Sequence, residues 1–184
     1  MKVPADRLEA KIAGALSPIY FISGDDPLLV GEAADRIRAR AREEGFGNRL
    51  VLNADRSFDW VELAAVGASL SLFAEKQLVE LRLPTGKPGV AGSKAIKAYC
   101  GDPPPDTLLL VLAPRLDRKS MQSAWVKALD TAGVVVQVWP VDRGKLPAWI
   151  TSRMHANGLQ PGRGVADLIA DRVEGNLLAA DQEI

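Results

Sequence analysis

The chain has 184 residues, 47% hydrophobic and 25% charged, an ordinary globular composition long enough for one domain or one domain plus a fragment. Lys+Arg and Asp+Glu balance at 23 each, which excludes a general electrostatic pull toward nucleic acid or membrane, so any basic surface must be local. One cysteine, Cys100, excludes an intramolecular disulfide and fits a reducing compartment. No apolar run approaches the ~18 residues of a membrane span. Residues 1–7 carry no apolar signal-peptide core, so a cytoplasmic protein is expected.

In chain order, Leu8, Ile12, Ala15 and Leu16 predict a short amphipathic helix over 6–16, ended by Pro18. Ile19 to Ser23 is a continuous apolar run, the pattern of a strand buried on both faces of a parallel sheet. A helix follows from Pro27, with Leu29, Val30, Ala33, Ile37 and Ala41 at helical spacing and Gly45 as its C-cap. Residues 49–54 predict a second strand, and Asp59 is placed to cap a helix through Trp60, Leu63, Val66 and Leu70. Residues 77–83 give the third strand, 93–100 a short helix and 107–112 the most apolar strand of the chain. A helix over 119–132 and a fifth strand over 134–139 complete the alternation.

Five apolar strands alternating with helices predict an open, mostly parallel α/β sheet with helices on both faces. After Pro140 only helical patterns remain, at 146–155, 165–173 and from Asn176 onward. The expected organisation is an α/β domain over 1–141 and a small helical domain over 142–184. The last helical pattern runs to Ile184 without a cap, so a fragment of a longer helical region is expected.

The turn after the first strand sits where a nucleotide-binding protein carries its phosphate loop. It reads Gly24-Asp25-Asp26-Pro27-Leu28-Leu29. A phosphate loop needs G-x-x-x-x-G-K-[ST], whose backbone N–H groups and Lys cradle phosphates while a hydroxyl holds magnesium. Two adjacent carboxylates without the Lys would repel a triphosphate. The acidic pair that holds magnesium in such enzymes should fall near Leu83-Pro84, which are apolar, and a polar γ-phosphate sensor should follow the fourth strand, where Leu112-Ala113-Pro114 stands. Asp25 and Asp26 also resemble the acidic pair of receiver domains, but the phosphoacceptor Asp expected after the third strand is missing. Their simpler role is to shape the turn and favour the helix N-terminus.

His155 is the only histidine, and with one Cys it makes no metal set. Arg36, Arg38, Arg40 and Arg42 lie two apart, which spreads them around a helix as a solvated face. Ser69-Leu70-Ser71-Leu72-Phe73-Ala74-Glu75 places two large apolar residues at a helix end, just before a strand. Leu72 and Phe73 either fold back as core or point outward as a compact apolar partner anchor.

Several runs together resemble the delta subunit of the bacterial DNA polymerase III clamp loader. They are Tyr20-Phe21-Ile22-Ser23-Gly24-Asp25-Asp26-Pro27-Leu28-Leu29, Phe58-Asp59-Trp60, Ser71-Leu72-Phe73-Ala74 and Leu81-Arg82-Leu83-Pro84. Leu146-Pro147-Ala148-Trp149-Ile150 and Glu174-Gly175-Asn176-Leu177-Leu178-Ala179-Ala180 extend the likeness across nearly the whole chain.

The resemblance implies an AAA+-like module with a degenerate nucleotide site, no cofactor or metal, and no active site of its own. The holoenzyme it serves would be a DNA-directed DNA polymerase, a nucleotidyltransferase. It further implies that Leu72 and Phe73, flanked by Ser71 and Ala74, enter an apolar pocket on the ring-shaped sliding clamp (the beta subunit) and help open the ring. Partners would be the gamma/tau subunits, which bind and hydrolyse ATP, the delta-prime subunit, and primed DNA through the assembled complex; no membrane partner is implied. A C-terminal collar domain would be missing from this chain. The alternatives are a divergent P-loop ATPase and a receiver-like signalling domain. Neutral net charge predicts weak, salt-sensitive DNA binding by the chain alone.

Overall fold

A computed structural model describes residues 1–68 and 76–184. The chain divides into two compact units, Met1–Asp25 with Leu29–Val138, and Asp26–Leu28 with Trp139–Ile184.

The first unit is built on a sheet of six strands: β1 (Lys2–Pro4), β2 (Ile19–Ser23), β3 (Asn48–Asn53), β4 (Gln77–Arg82), β5 (Thr107–Ala113) and β6 (Val134–Gln137). Their order across the sheet is β1-β6-β2-β5-β4-β3, and every pairing is parallel. The five-strand expectation is therefore corrected to six. The strand it lacked, β1, is three residues long with Val3 alone buried between Lys2 and Pro4, too short to show a period. It lies at the sheet edge, where a proline is tolerated.

Helices cover both faces. α1 (Leu8–Ile12) and α2 (Pro27–Glu43) supply Leu8, Ile12, Ala33, Ala34, Ile37 and Ala41 to one apolar layer, against Tyr20, Ile22, Leu78, Leu108 and Leu110. α3 (Val61–Ala68), α4 (Gly89–Gly101) and α5 (Ala124–Ala132) form the other. Leu63, Val66, Ile96, Trp125, Val126 and Leu129 pack there on Phe21, Val79, Leu81, Leu109 and Val111. All five residues of β2 are buried, as its unbroken apolar run predicts.

Several boundaries depart from the sequence reading. The first helix is a 3-10 turn at Ala5–Arg7 followed by α1, and it stops at Ile12, short of Leu16. α4 starts at Gly89, four residues early. The helix expected over 119–132 is broken: a 3-10 turn (Ser120–Gln122) precedes α5, with Ser123 in an extended conformation between them. Gly45 has φ +91°, the left-handed conformation that a helix C-terminus favours. Asp59 accepts a hydrogen bond from the Val61 N–H at 3.0 Å, at the start of α3.

The second unit contains α6 (Leu146–Ala156), α7 (Val165–Val173) and α8 (Leu177–Gln182). Leu146, Ile150, Ala166, Val173, Leu177 and Ala180 are buried. The Asn176 side chain caps α8 by accepting from the Ala179 N–H at 3.1 Å. Arg153 joins α6 to α8 through Asp181 at 3.1 Å and stacks 4.7 Å from the centre of the Trp149 ring. No helix among the described residues is long and apolar enough to cross a membrane.

One polar group interrupts the α2 face of the sheet. Glu80 on β4 is fully buried and accepts from Arg38 Nε (3.0 Å) and Nη2 (2.8 Å), Arg49 Nη2 (2.7 Å) and Arg82 Nε (2.7 Å). Arg38 is thus drawn inward, its side chain only 16% exposed, and the arginine run is not a uniformly solvated face. Burial alone would raise the Glu80 pKa, but hydrogen bonds from Arg82, Arg49 and Arg38 outweigh it and hold the carboxyl below its ordinary 4.5. A lowered carboxyl pKa stabilises the fold at neutral pH, and that contribution is lost as pH falls through the folded value. Glu80→Ala is expected to cost about 3 kcal/mol in urea unfolding at neutral pH, because it strands the cations around a buried site. The gap from wild type should narrow as the pH drops below the usual carboxylate range; a pH-independent gap would contradict this assignment.

Candidate functional site

In an all-parallel sheet, loops at the carboxyl ends of the strands are the usual ligand edge. β2, β5 and β4 are neighbours, so the three positions a nucleotide enzyme would equip with chemistry share that edge. What stands there is closed structure. The Gly24 N–H donates to Ala113 O at 3.2 Å, and the Val138 N–H donates to Ser23 O at 2.9 Å. Ser23 Oγ donates to Pro114 O at 2.9 Å and accepts from the Leu116 N–H at 3.2 Å. Leu83, at the position of the missing acidic pair, is 2% exposed, and its N–H donates to Leu112 O at 2.8 Å.

Asp25 reaches across this edge. Its Oδ1 accepts from the Arg115 N–H at 2.9 Å, tying the turn after β2 to the loop after β5. Asp25, expected with Asp26 to shape this turn and favour the helix that follows, holds the turn by occupying a backbone donor and adds negative charge to the edge. Gly24 is required by space. A Cβ there would lie 2.7 Å from Val138 Cβ and 2.9 Å from Val138 O.

The other candidates are placed as follows. Cys100 is half-buried, and burial pushes its thiol up to about 11, so it is a poor nucleophile at neutral pH. His155 is exposed near the end of α6. Among the described residues, no group of three His, Cys, Asp or Glu is placed to hold a metal ion.

Ser71, Leu72, Phe73 and Ala74 lie outside the described residues. Their flanks are fixed: α3 precedes them, and Lys76 follows at the amino end of β4. Lys76 Nζ donates to Glu44 O at 2.9 Å and lies 5.2 Å from the centre of the Phe46 ring, anchoring the chain as it enters the sheet.

The family described as DNA polymerase III, delta subunit, matches residues 20–138, about two thirds of the chain and the unit that contains this edge. The chain belongs to that family. It is 29% identical over 179 residues to the DNA polymerase III subunit delta of Escherichia coli (strain K12), a match covering 97% of this chain and 52% of the relative. It therefore spans about half the length of that relative. In three dimensions it is similar to the Bacillus subtilis DNA clamp loader delta protein, with a TM-score of 0.70 at 19% identity over 97% of this chain and 55% of the other. A Thermotoga maritima RuvB variant (R170A) shares the fold, with a TM-score of 0.58 at 15% identity over 97% of this chain and 56% of that one. The fold is AAA+-like, and in this chain its carboxyl edge is closed as described above.

Gly24→Ala is expected to destabilise the fold by about 1–3 kcal/mol, since Val138 backbone and side chain must both move. Thermal or urea unfolding tests this; an unchanged midpoint would mean that the turn is looser than its contacts indicate.

Proposed function

We propose that this chain is the part of a clamp-loader delta subunit that binds the ring-shaped sliding clamp and opens it during DNA replication, without hydrolysing ATP. The family match over residues 20–138 carries the reading. The closed edge around Gly24 and Asp25 supports the absence of a nucleotide motor, because the Gly24 and Arg115 backbone donors are already bonded and Asp25 adds negative charge where a triphosphate would lie.

Residues 1–141 act as the clamp-binding domain and 142–184 as a helical lid-like domain. Leu72 and Phe73 are the anchor, with Ser71 and Ala74 beside them. Burial of two such side chains contributes about 1.5–3 kcal/mol each. That suffices for micromolar binding or better once the costs of association are met. Opening follows from population shift: a ligand that prefers the sprung ring to the closed one moves the equilibrium toward open. The chain is a wrench, and ATP is handled by its gamma/tau partners, with delta-prime completing the loader. It works in the cytoplasm on primed DNA, as a non-catalytic part of a DNA-directed DNA polymerase.

The test is calorimetric titration against the sliding clamp of the same organism, with wild type and the Leu72→Ala/Phe73→Ala variant, each with a thermal melt. Wild type should bind, and the variant should lose at least about a hundredfold in affinity, from about 3 kcal/mol for the pair, with its melt unchanged. Equal binding by the variant, or no binding by wild type, would contradict the proposal. A large loss of stability in the variant would place the pair in the core instead. Magnesium-dependent ATP binding by the chain would favour a divergent P-loop ATPase.

A further inference from the structure

At the amino ends of β3 and β4, away from the carboxyl edge, lies a recess of about 250 Å³. Asp35, Arg38 and Arg42 of α2 line it, with Phe46 from the turn after α2 and Arg49 from β3. Three guanidinium groups share this small volume because the buried Glu80 holds two of them, Arg38 and Arg49.

The charges do not cancel. Arg38, Arg42, Arg49 and Arg82 face two carboxylates, Asp35 and Glu80, which leaves a surplus of two positive charges. Arg38 is fully engaged, through Nη1 with Asp35 at 2.6 Å and through Nε and Nη2 with Glu80. Arg49 is bound only through Nη2, and its side chain is 43% exposed. Arg42 makes one contact among the described residues, from Nε to Arg38 O at 3.4 Å, and has no carboxylate within ion-pair distance. Arg42 and Arg49 therefore keep donors for a ligand.

A helix C-terminus ordinarily repels anions through its open carbonyls. At the end of α2 those carbonyls are occupied. Arg40, Ala41 and Arg42 accept from the Glu44, Phe46 and Gly45 N–H groups, and Glu44 O accepts from Lys76 Nζ at 2.9 Å. Lys76 brings a further cation against the Phe46 wall. Glu43 and Glu44 are held by Arg40 and do not line the recess.

We propose that this recess is a binding site for a small phosphate-class dianion, inorganic phosphate or pyrophosphate, clamped between Arg42 and Arg49. Guanidinium forks match the oxygens of a phosphate, and two surplus charges suit a dianion better than a single carboxylate. The volume equals that of about eight water molecules. That admits a pyrophosphate and falls below the roughly 300–1,000 Å³ of sites that enclose larger ligands. The bound anion ties α2 to β3, so it stabilises the fold by mass action. The inference does not need the clamp-binding reading to hold.

The experiment is calorimetric titration of the whole chain with sodium pyrophosphate, inorganic phosphate or sodium acetate at constant ionic strength. Amide NMR of the same samples locates the site. One or both phosphates should bind, with shifts centred on Gly47 and Leu78, and the tighter of the two identifies the ligand. Arg42→Gln removes a single long hydrogen bond, so its melt should match that of the wild type while its affinity falls at least about tenfold. Arg42→Lys keeps the charge but loses the fork, and it should also bind more weakly, which guards against a folding effect. Arg36→Gln, on the same helix but outside the recess, should change affinity by less than about twofold. Acetate binding as tightly as the phosphates would overturn the phosphate assignment. Equal loss in Arg36→Gln and Arg42→Gln would reduce the effect to net charge and overturn the site. So would shifts centred elsewhere in the chain, or no binding of either phosphate up to about 10 mM.

Discussion

Burial of β2 and β5 on both faces is the constraint from which the rest of the structure follows. Strands that apolar throughout must be sandwiched between helical layers, and every neighbour of β2 and β5 is then reached by a parallel crossover. All six strands consequently end on the same edge, and the loops between Gly24 and Leu116 meet there. That edge is where such folds place ligands, so what the loops contain decides what the protein can do.

Here the edge is divided in chemical character. Around Gly24 and Asp25 it is closed by backbone bonds and carries a carboxylate; at α4 and α5 it is open and basic. The α2 face of the sheet has another logic. Glu80 gathers Arg38, Arg49 and Arg82 there and locks α2 to β3 and β4. Lys76 pins the chain nearby, on Glu44 and Phe46.

Much of this was legible in the sequence because the signals are local. The apolar run at 19–23 and the spacing from Leu29 to Ala41 each state their element outright. So does Asn176 before Leu177, which supplies its own cap. The empty nucleotide positions were legible for the same reason, since a missing Lys or Asp is visible without coordinates. The rest depends on partners distant in the chain. β1 exists only because β6 offers it a ladder, Arg38 turns inward only because Glu80 lies beneath it, and Asp25 finds Arg115 ninety residues away.

The account turns on one claim, that this chain opens the ring by binding alone. The direct measurement places a fluorophore and a quencher on either side of a sliding-clamp subunit interface and adds this chain without nucleotide. The account predicts a saturable rise in fluorescence, equal with or without ATP and magnesium. A ring that stays dark while a parallel titration shows the chain bound would contradict it, leaving a clamp-binding protein that is no wrench.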